Sequence, residues 1–147
     1  MGLFDKILSN NTVKEALSPA EAFAAITLSA IASDGYLSDE ESRGISLALS
    51  RMKMYRSYPN EVMQRMFDKL LGILRREGMN SLFDSAKDYL PYELRESAFA
   101  VATDLILADG VVAQEEQEFL NDLYQALSLD AEVATRILEV MIIKNRG

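Results

Sequence analysis

Apolar residues recur every three to four positions along most of this chain, which is the spacing of one face of an α-helix. In the first half, three such stripes follow one another, over residues 23–31, 45–52 and 62–71. Runs that alternate polar and β-branched residues, as half-buried strands do, are missing. The pattern therefore predicts an all-α protein.

Helix starts can be recognised from capping residues. The stretch SPAE at 18–21 offers a hydroxyl cap, a proline at the first helical position and a glutamate at the third. The stretch SDEE at 38–41 repeats the same capping box. Further starts are predicted after Pro59, Pro91 and Asp130.

A long internal repeat becomes visible when residue numbers are shifted by 75. The shift carries Glu21, Ala25, Ile31, Asp34, Gly35, Glu40 and Glu41 onto identical residues at Glu96, Ala100, Ile106, Asp109, Gly110, Glu115 and Glu116. Beyond the second helix the shift falls to 71, because RMKMYRSYPN at 51–60 holds four extra residues. Two copies at this long period indicate a duplicated bundle rather than a solenoid.

The repeat defines the expected architecture. Each half, about 19–77 and 92–145, is predicted as helix, Asp-Gly turn, helix, helix, and a short helix through SLFDSAKDYL joins them after a break at Gly78. We expect a single domain over 1–147, a helical bundle of about seven to eight helices with approximate two-fold symmetry, preceded by a leader at 1–17. The leader places apolar residues on one helical face and is expected to dock on the core.

The two Asp-Gly turns resemble the second half of an EF-hand loop. Asp34 and Glu41, and likewise Asp109 and Glu116, stand at the spacing of a ligating Asp and the bidentate Glu. The first half of the loop does not match, because alanines or leucines occupy positions that need oxygen ligands. A true EF-hand is therefore excluded.

Two interpretations of these acids remain open. Glu41 can reach back to the amide of Ser38 as a cap, but Ala113 replaces that serine in the second copy and excludes a reciprocal box. Capping alone does not require two successive acids in both copies. The candidate ligands of a divalent cation are Asp34, Glu40, Glu41, Asp109, Glu115 and Glu116. All-oxygen ligation suits Ca²⁺, Mg²⁺ or Mn²⁺, and Asp104 is expected to make the second site more anionic.

Composition narrows the chemistry further. The chain has no cysteine and no histidine, which excludes disulfides, zinc sites with sulfur or nitrogen ligands, and Cys-His or Ser-His nucleophile pairs. No nucleophile-base pair or phosphate-binding loop is present, so we expect no enzymatic activity and no organic cofactor. The start lacks the features of a signal peptide and no apolar run approaches the ~20 residues of a membrane span, so the cytoplasm is the expected compartment.

Charge is unevenly distributed along the chain. The net charge of -8 argues against nucleic acid as a partner. Residues 43–76 hold eight basic residues against two acids, whereas 104–132 hold eight acids and no base. This asymmetry is explained either by solvated faces or by a surface that steers a charged partner or aligns two copies head to tail, as in a homodimer. The basic, aromatic stretch at 51–58 is predicted to be a solvated connection between helices.

The segments AITLSAIASDGYLSDEE and ATDLILADGVVAQEEQEFLNDLYQALSLD resemble the two signature segments of the TerB-like tellurite-resistance family. The leader MGLFDKIL is similar to the usual start of that family, and the resemblance covers nearly the whole chain in the family's order. It also extends to the N-terminal helical domain of membrane-anchored DnaJ-type co-chaperones, although a J-domain is not expected here. The basic insertion and Ala113 depart from the family pattern.

The resemblance implies an all-helical domain with an acidic metal-binding centre in a bacterial stress response linked to tellurite resistance. It implies association with other stress-response proteins of that system, some of them calcium-binding, near the inner face of the membrane. Carried over residue by residue, the family's acidic positions fall on the six candidate ligands named above. The alternative is a purely protein-binding helical scaffold whose acidic turns are structural helix caps.

Overall fold

The computed structural model describes residues 16–32, 37–108 and 110–147, and within them every regular element is helical. The helices are α1 (Pro19–Ile31), α2 (Asp39–Ser50), α3 (Asn60–Glu77), α4 (Met79–Tyr89), α5 (Arg95–Leu107), α6 (Gln114–Ala126) and α7 (Ala131–Lys144), with short 3-10 turns at Lys53–Tyr55 and Tyr92–Leu94. The predicted all-α class is confirmed. Residues 1–15 of the predicted leader at 1–17 lie outside the described residues.

The helix boundaries follow the spacing of the sequence repeat. Helix α2 begins at Asp39 and α6 at Gln114, which is the predicted shift of 75. Helix α3 begins at Asn60 and α7 at Ala131, which is the predicted shift of 71. The break at Gly78 is confirmed, and its φ of 88° is a conformation that glycine adopts without steric cost. The approximate two-fold axis stays a prediction.

Helix α1 is the centre of the bundle. It packs against α2, α3, α4, α5 and α6, and no residue from Ala22 to Leu28 retains any exposed surface. The sequence pattern predicted one buried face, whereas the structure buries the whole circumference. The physical reason is the number of alanines, because small side chains allow several helices to approach α1 closely at once.

The start of α1 is held by a network of polar groups. The Ser18 hydroxyl accepts a hydrogen bond from the Glu21 amide at 3.1 Å, and the Glu21 carboxylate accepts one from the Ser18 amide at 2.9 Å. Lys69 of α3 donates to both carboxylate oxygens at 3.1 Å. Burial acts to raise the pKa of Glu21, but the Ser18 and Lys69 interactions outweigh it, and the pKa lies below its ordinary value.

The connection at 51–58 is not simply solvated, which corrects the prediction. Tyr55 is 1% exposed, and its hydroxyl donates to the Ala20 carbonyl at 2.6 Å. Its ring makes edge contacts with Phe23 and Tyr58. The pattern of basic residues indicated solvent, but the aromatic residue between them fills the space left by the small residues of α1.

The second half has a comparable hydrogen bond, donated by an arginine instead of a tyrosine. Arg95 stands at the repeat position of Ala20, and its Nη1 donates to the Leu127 carbonyl at 2.8 Å. Each of the two hydrogen bonds joins the start of the first helix of a half to the connection that follows the second helix of that half.

No helix in the described ranges has the length and apolar character needed to cross a membrane.

Candidate acidic site

Glutamates that follow the two Asp-Gly turns line one cavity. It encloses about 610 Å³ at the end of the bundle where α1 finishes and α2, α4 and α6 begin. Glu41 of the first turn and both Glu115 and Glu116 of the second line it. The repeat placed these acids 75 residues apart in sequence, and the packing of α1 against α6 brings them to the same place.

The remaining predicted ligands are distributed differently. Glu40 is exposed and does not line the cavity. Asp34 and Asp109 lie outside the described residues. Among the residues that the structure describes, no three His, Cys, Asp or Glu side chains are placed to hold a metal ion. The described carboxylates therefore line part of the cavity wall and do not by themselves form a closed coordination shell.

Glu41 is a cap as well as a cavity residue. Its Oε1 accepts a hydrogen bond from the Ser38 amide at 3.0 Å, and the Ser38 hydroxyl accepts one from the Glu41 amide at 3.1 Å. The capping box predicted from the sequence is confirmed. It engages one carboxylate oxygen, and the second oxygen has no hydrogen-bond partner among the described residues.

Glu116 keeps half of the same arrangement. Its Oε1 accepts a hydrogen bond from the Ala113 amide at 2.8 Å. The alanine side chain has no acceptor, and the Glu116 amide instead donates to the Ala113 carbonyl at 3.1 Å. The carboxylate therefore caps α6 although the reciprocal bond is missing, so Ala113 excludes the reciprocal box but not capping by Glu116.

Glu115 is the acid that capping does not explain. It is exposed and lines the cavity, and it forms no hydrogen bond or ion pair with the described residues. Asp104, predicted to add charge to the second turn, is engaged elsewhere. Lys144 donates to both of its oxygens at 3.0 Å, and Asn145 donates to Oδ1 at 2.8 Å. The expectation for Asp104 is corrected, because α7 packs along α5 and supplies these partners.

The wall behind the carboxylates is mostly apolar. Ala30 and Ala32 come from the end of α1, Met79 from the start of α4 and Phe119 from α6. Phe119 stands at the repeat position of Gly44 and contacts Phe83 edge-on, with ring centroids 6.4 Å apart. A phenylalanine at the position where the first copy has a glycine is a large departure from the repeat. This difference is the sequence signal that could have identified the apolar wall of the cavity.

This arrangement can bind a cationic group. Carboxylate oxygens at an apolar cavity can accept hydrogen bonds from a lysine or arginine side chain, or contribute to the ligation of a hard cation. Neither a cysteine nor a histidine is available as a nucleophile or base. The described side chains that line the cavity include one hydroxyl, Ser29, and it donates to the Ala25 carbonyl at 2.9 Å.

A matched pair of variants tests the capping role. Ser38→Ala should lower the free energy of unfolding by about 1 kcal/mol, because the Glu41 amide loses its acceptor. Ala113→Ser should raise it by a similar amount, because the hydroxyl can accept from the Glu116 amide and complete the box. Urea unfolding of both variants measures the effect, and a loss of stability in Ala113→Ser would contradict it.

Comparisons of the chain with protein-family models, with curated proteins and with solved structures give no match. The resemblance to the TerB-like family therefore rests on the two segments and the leader alone.

Proposed function

We propose that the protein is a non-enzymatic, acidic metal-binding and interaction module of a bacterial stress response of the tellurite-resistance (TerB) type. It acts in the cytoplasm, at the inner face of the membrane, together with other proteins of that response. The observation that carries the proposal is the meeting of Glu41, Glu115 and Glu116 at one cavity. The family resemblance of the two acidic segments supports the system to which it is assigned.

The proposed ligand is a single hard divalent cation, Ca²⁺, Mg²⁺ or Mn²⁺. Within the described part of the chain, one oxygen of each capping glutamate accepts from a backbone amide and the other has no partner, and Glu115 forms no hydrogen bond or ion pair. A cation bound at the cavity would offset the negative charge that the three carboxylates bring to its lining. Asp34 and Asp109 are the proposed additional ligands, since each stands seven residues before a glutamate, Glu41 or Glu116, that lines the cavity.

Metal titration by calorimetry tests the proposal. The wild type should bind one equivalent of Ca²⁺, Mg²⁺ or Mn²⁺ with a dissociation constant below millimolar, and Asp109→Asn/Glu116→Gln should weaken binding at least about tenfold. The control Asp84→Asn/Glu96→Gln removes the same number of charges from exposed sites outside the cavity and should leave the affinity within about twofold.

Two results would overturn the cation role. One is an absence of binding or thermal shift below millimolar metal in the wild type. The other is equal weakening in the control, which would assign the effect to net charge rather than to the cavity. A crystal soaked in Mn²⁺ provides the direct check, because its anomalous signal should lie between Glu41 and Glu115.

The second candidate is a purely protein-binding scaffold whose acidic turns are caps. It is favoured by the observation that both Glu41 and Glu116 cap helices. The two functions differ in metal dependence. If the protein is a scaffold, the variant with all six predicted acids neutralised still captures its partners from a cell extract. If it is a metal module, the wild type loses its partners in chelator and recovers them when the cation is added, whereas that variant does not recover them.

A further inference from the structure

A second concave surface lies between α5, α6 and α7 and shares no residue with the acidic cavity. We call it the α5–α7 groove; it encloses about 500 Å³ and is lined by apolar residues that include Phe99, Leu120 and Leu138. Its origin can be read from the repeat. Ala134 stands at the repeat position of Met63 and Leu138 at that of Phe67, so smaller residues leave space that the first half fills.

The rim of the groove is acidic. Gln117 and Asn121 of α6 line the groove and also border Glu118 and Asp122. On the opposite side, Ala131 and Thr135 of α7 line the groove and also border Glu132, Arg136 and Glu139. Four acids and one base thus flank an apolar floor. Charge complementarity therefore favours a basic helix with one apolar face as the occupant.

The first turn of α2 is acidic, but the rest of the helix and the residue that follows it carry one exposed apolar side chain between two arginines. Leu47 is 60% exposed, and Arg43 and Arg51 flank it four residues away on each side, so the three side chains form one stripe. Within the described residues, neither arginine forms an ion pair. A Cβ added to Gly44, next to this stripe, would meet no atom within 4 Å, so another molecule can approach the helix closely.

We propose that α2 of one copy of the chain docks in the α5–α7 groove of a second copy. Leu47 enters the apolar floor beside Leu138, and Arg43 and Arg51 face the acidic rim. The donor and acceptor surfaces are different parts of the same chain, so the contact is head to tail and each copy can use both of its surfaces. Repeated contacts of this type build open chains, or rings where the rotation closes.

Ionic strength and concentration give the first test. The mass of the wild type, measured by light scattering after size exclusion, should rise with concentration at low salt and return to the monomer value at high salt, because exposed arginine-carboxylate pairs are screened. A wild type that stays monomeric over the whole range overturns the proposal and assigns the groove to a different occupant.

A pair of complementary variants gives the decisive test. Leu47→Asp removes the donor, and Glu118→Lys/Asp122→Lys reverses the rim; all three positions are exposed, so both variants should fold. Each variant alone should be monomeric, with its self-association weakened about 30-fold or more. An equal mixture should form one-to-one dimers and nothing larger, because one intact donor and one intact groove remain.

Controls separate this arrangement from other modes of association. Tyr92→Ser, at a 74% exposed site outside both surfaces, should associate as the wild type does. Circular dichroism and thermal melting of each variant confirm the fold. Variants that associate alone, or a mixture that stays monomeric, would overturn the proposal.

Discussion

Replacing Tyr55 by alanine should lower the free energy of unfolding by about 3–5 kcal/mol, the range measured when large aromatic residues are removed from protein cores. The ring is 1% exposed and contacts Phe23 and Tyr58, so its loss leaves a cavity beside α1. The α2–α3 connection also loses its hydrogen bond to the Ala20 carbonyl. Urea unfolding followed by circular dichroism measures the change.

The variant Tyr55→Phe divides this effect into packing and hydrogen bonding. It keeps the ring and removes the hydroxyl, so a loss of about 1–2 kcal/mol is expected. A loss below about 1 kcal/mol in Tyr55→Ala would show that the connection is not part of the core. The control Tyr92→Ala removes a 74% exposed tyrosine and should cost much less.

The pH dependence of stability provides a second readout of Tyr55. Burial raises the pKa of this phenol, and the neighbouring Tyr58 raises it further. The folded state therefore retains the proton above about pH 10, where an unfolded tyrosine releases it. The wild type should lose stability as pH rises beyond that value, and Tyr55→Phe should lack this part of the decline.

Ala25→Leu should lower the free energy of unfolding by about 1–3 kcal/mol. Ala25 has no exposed surface and lies on the helix that five others contact, so the added methylene groups require the surrounding helices to separate. The sequence repeat provides a matched control. Ala100 occupies the same repeat position on α5 but is half-buried, so Ala100→Leu should cost distinctly less.

Chemical denaturation of both leucine variants checks this prediction. Equal losses would contradict the central position of α1, because the two sites share residue type and helix position and differ in how fully neighbours enclose them. A stabilised Ala25→Leu would mean that the core beside α1 has unfilled space.

Local features of the fold were predictable because they depend on neighbours in sequence. Ser18 with Glu21, and Ser38 with Glu41, specify helix starts through bonds that span three residues. Gly78 specifies a break because its positive φ disfavours other residues. The glutamates at the site could be predicted from residue type and spacing, because the same two acids follow both Asp-Gly turns.

The remaining features depend on which helices become neighbours. The apolar pattern of α1 predicted one buried face. The alanines on its other faces are compatible with any helix, but here they allow neighbouring helices to enclose α1 on all sides. Basic residues around Tyr55 indicated a solvated connection, and its ring and hydroxyl are instead buried against α1. Asp104 was assigned to the second turn by its distance in sequence, but α7 brings Lys144 and Asn145 to it.

The sequence by itself determined the helical class and the helix boundaries near each cap, because these follow from backbone hydrogen bonding and periodicity over a few residues. Only the tertiary structure decided that Glu41, Glu115 and Glu116 share one cavity and that the second half retains an open groove where the first is filled. Such placements arise from the packing of side chains distant in sequence, which residue spacing along the chain does not encode.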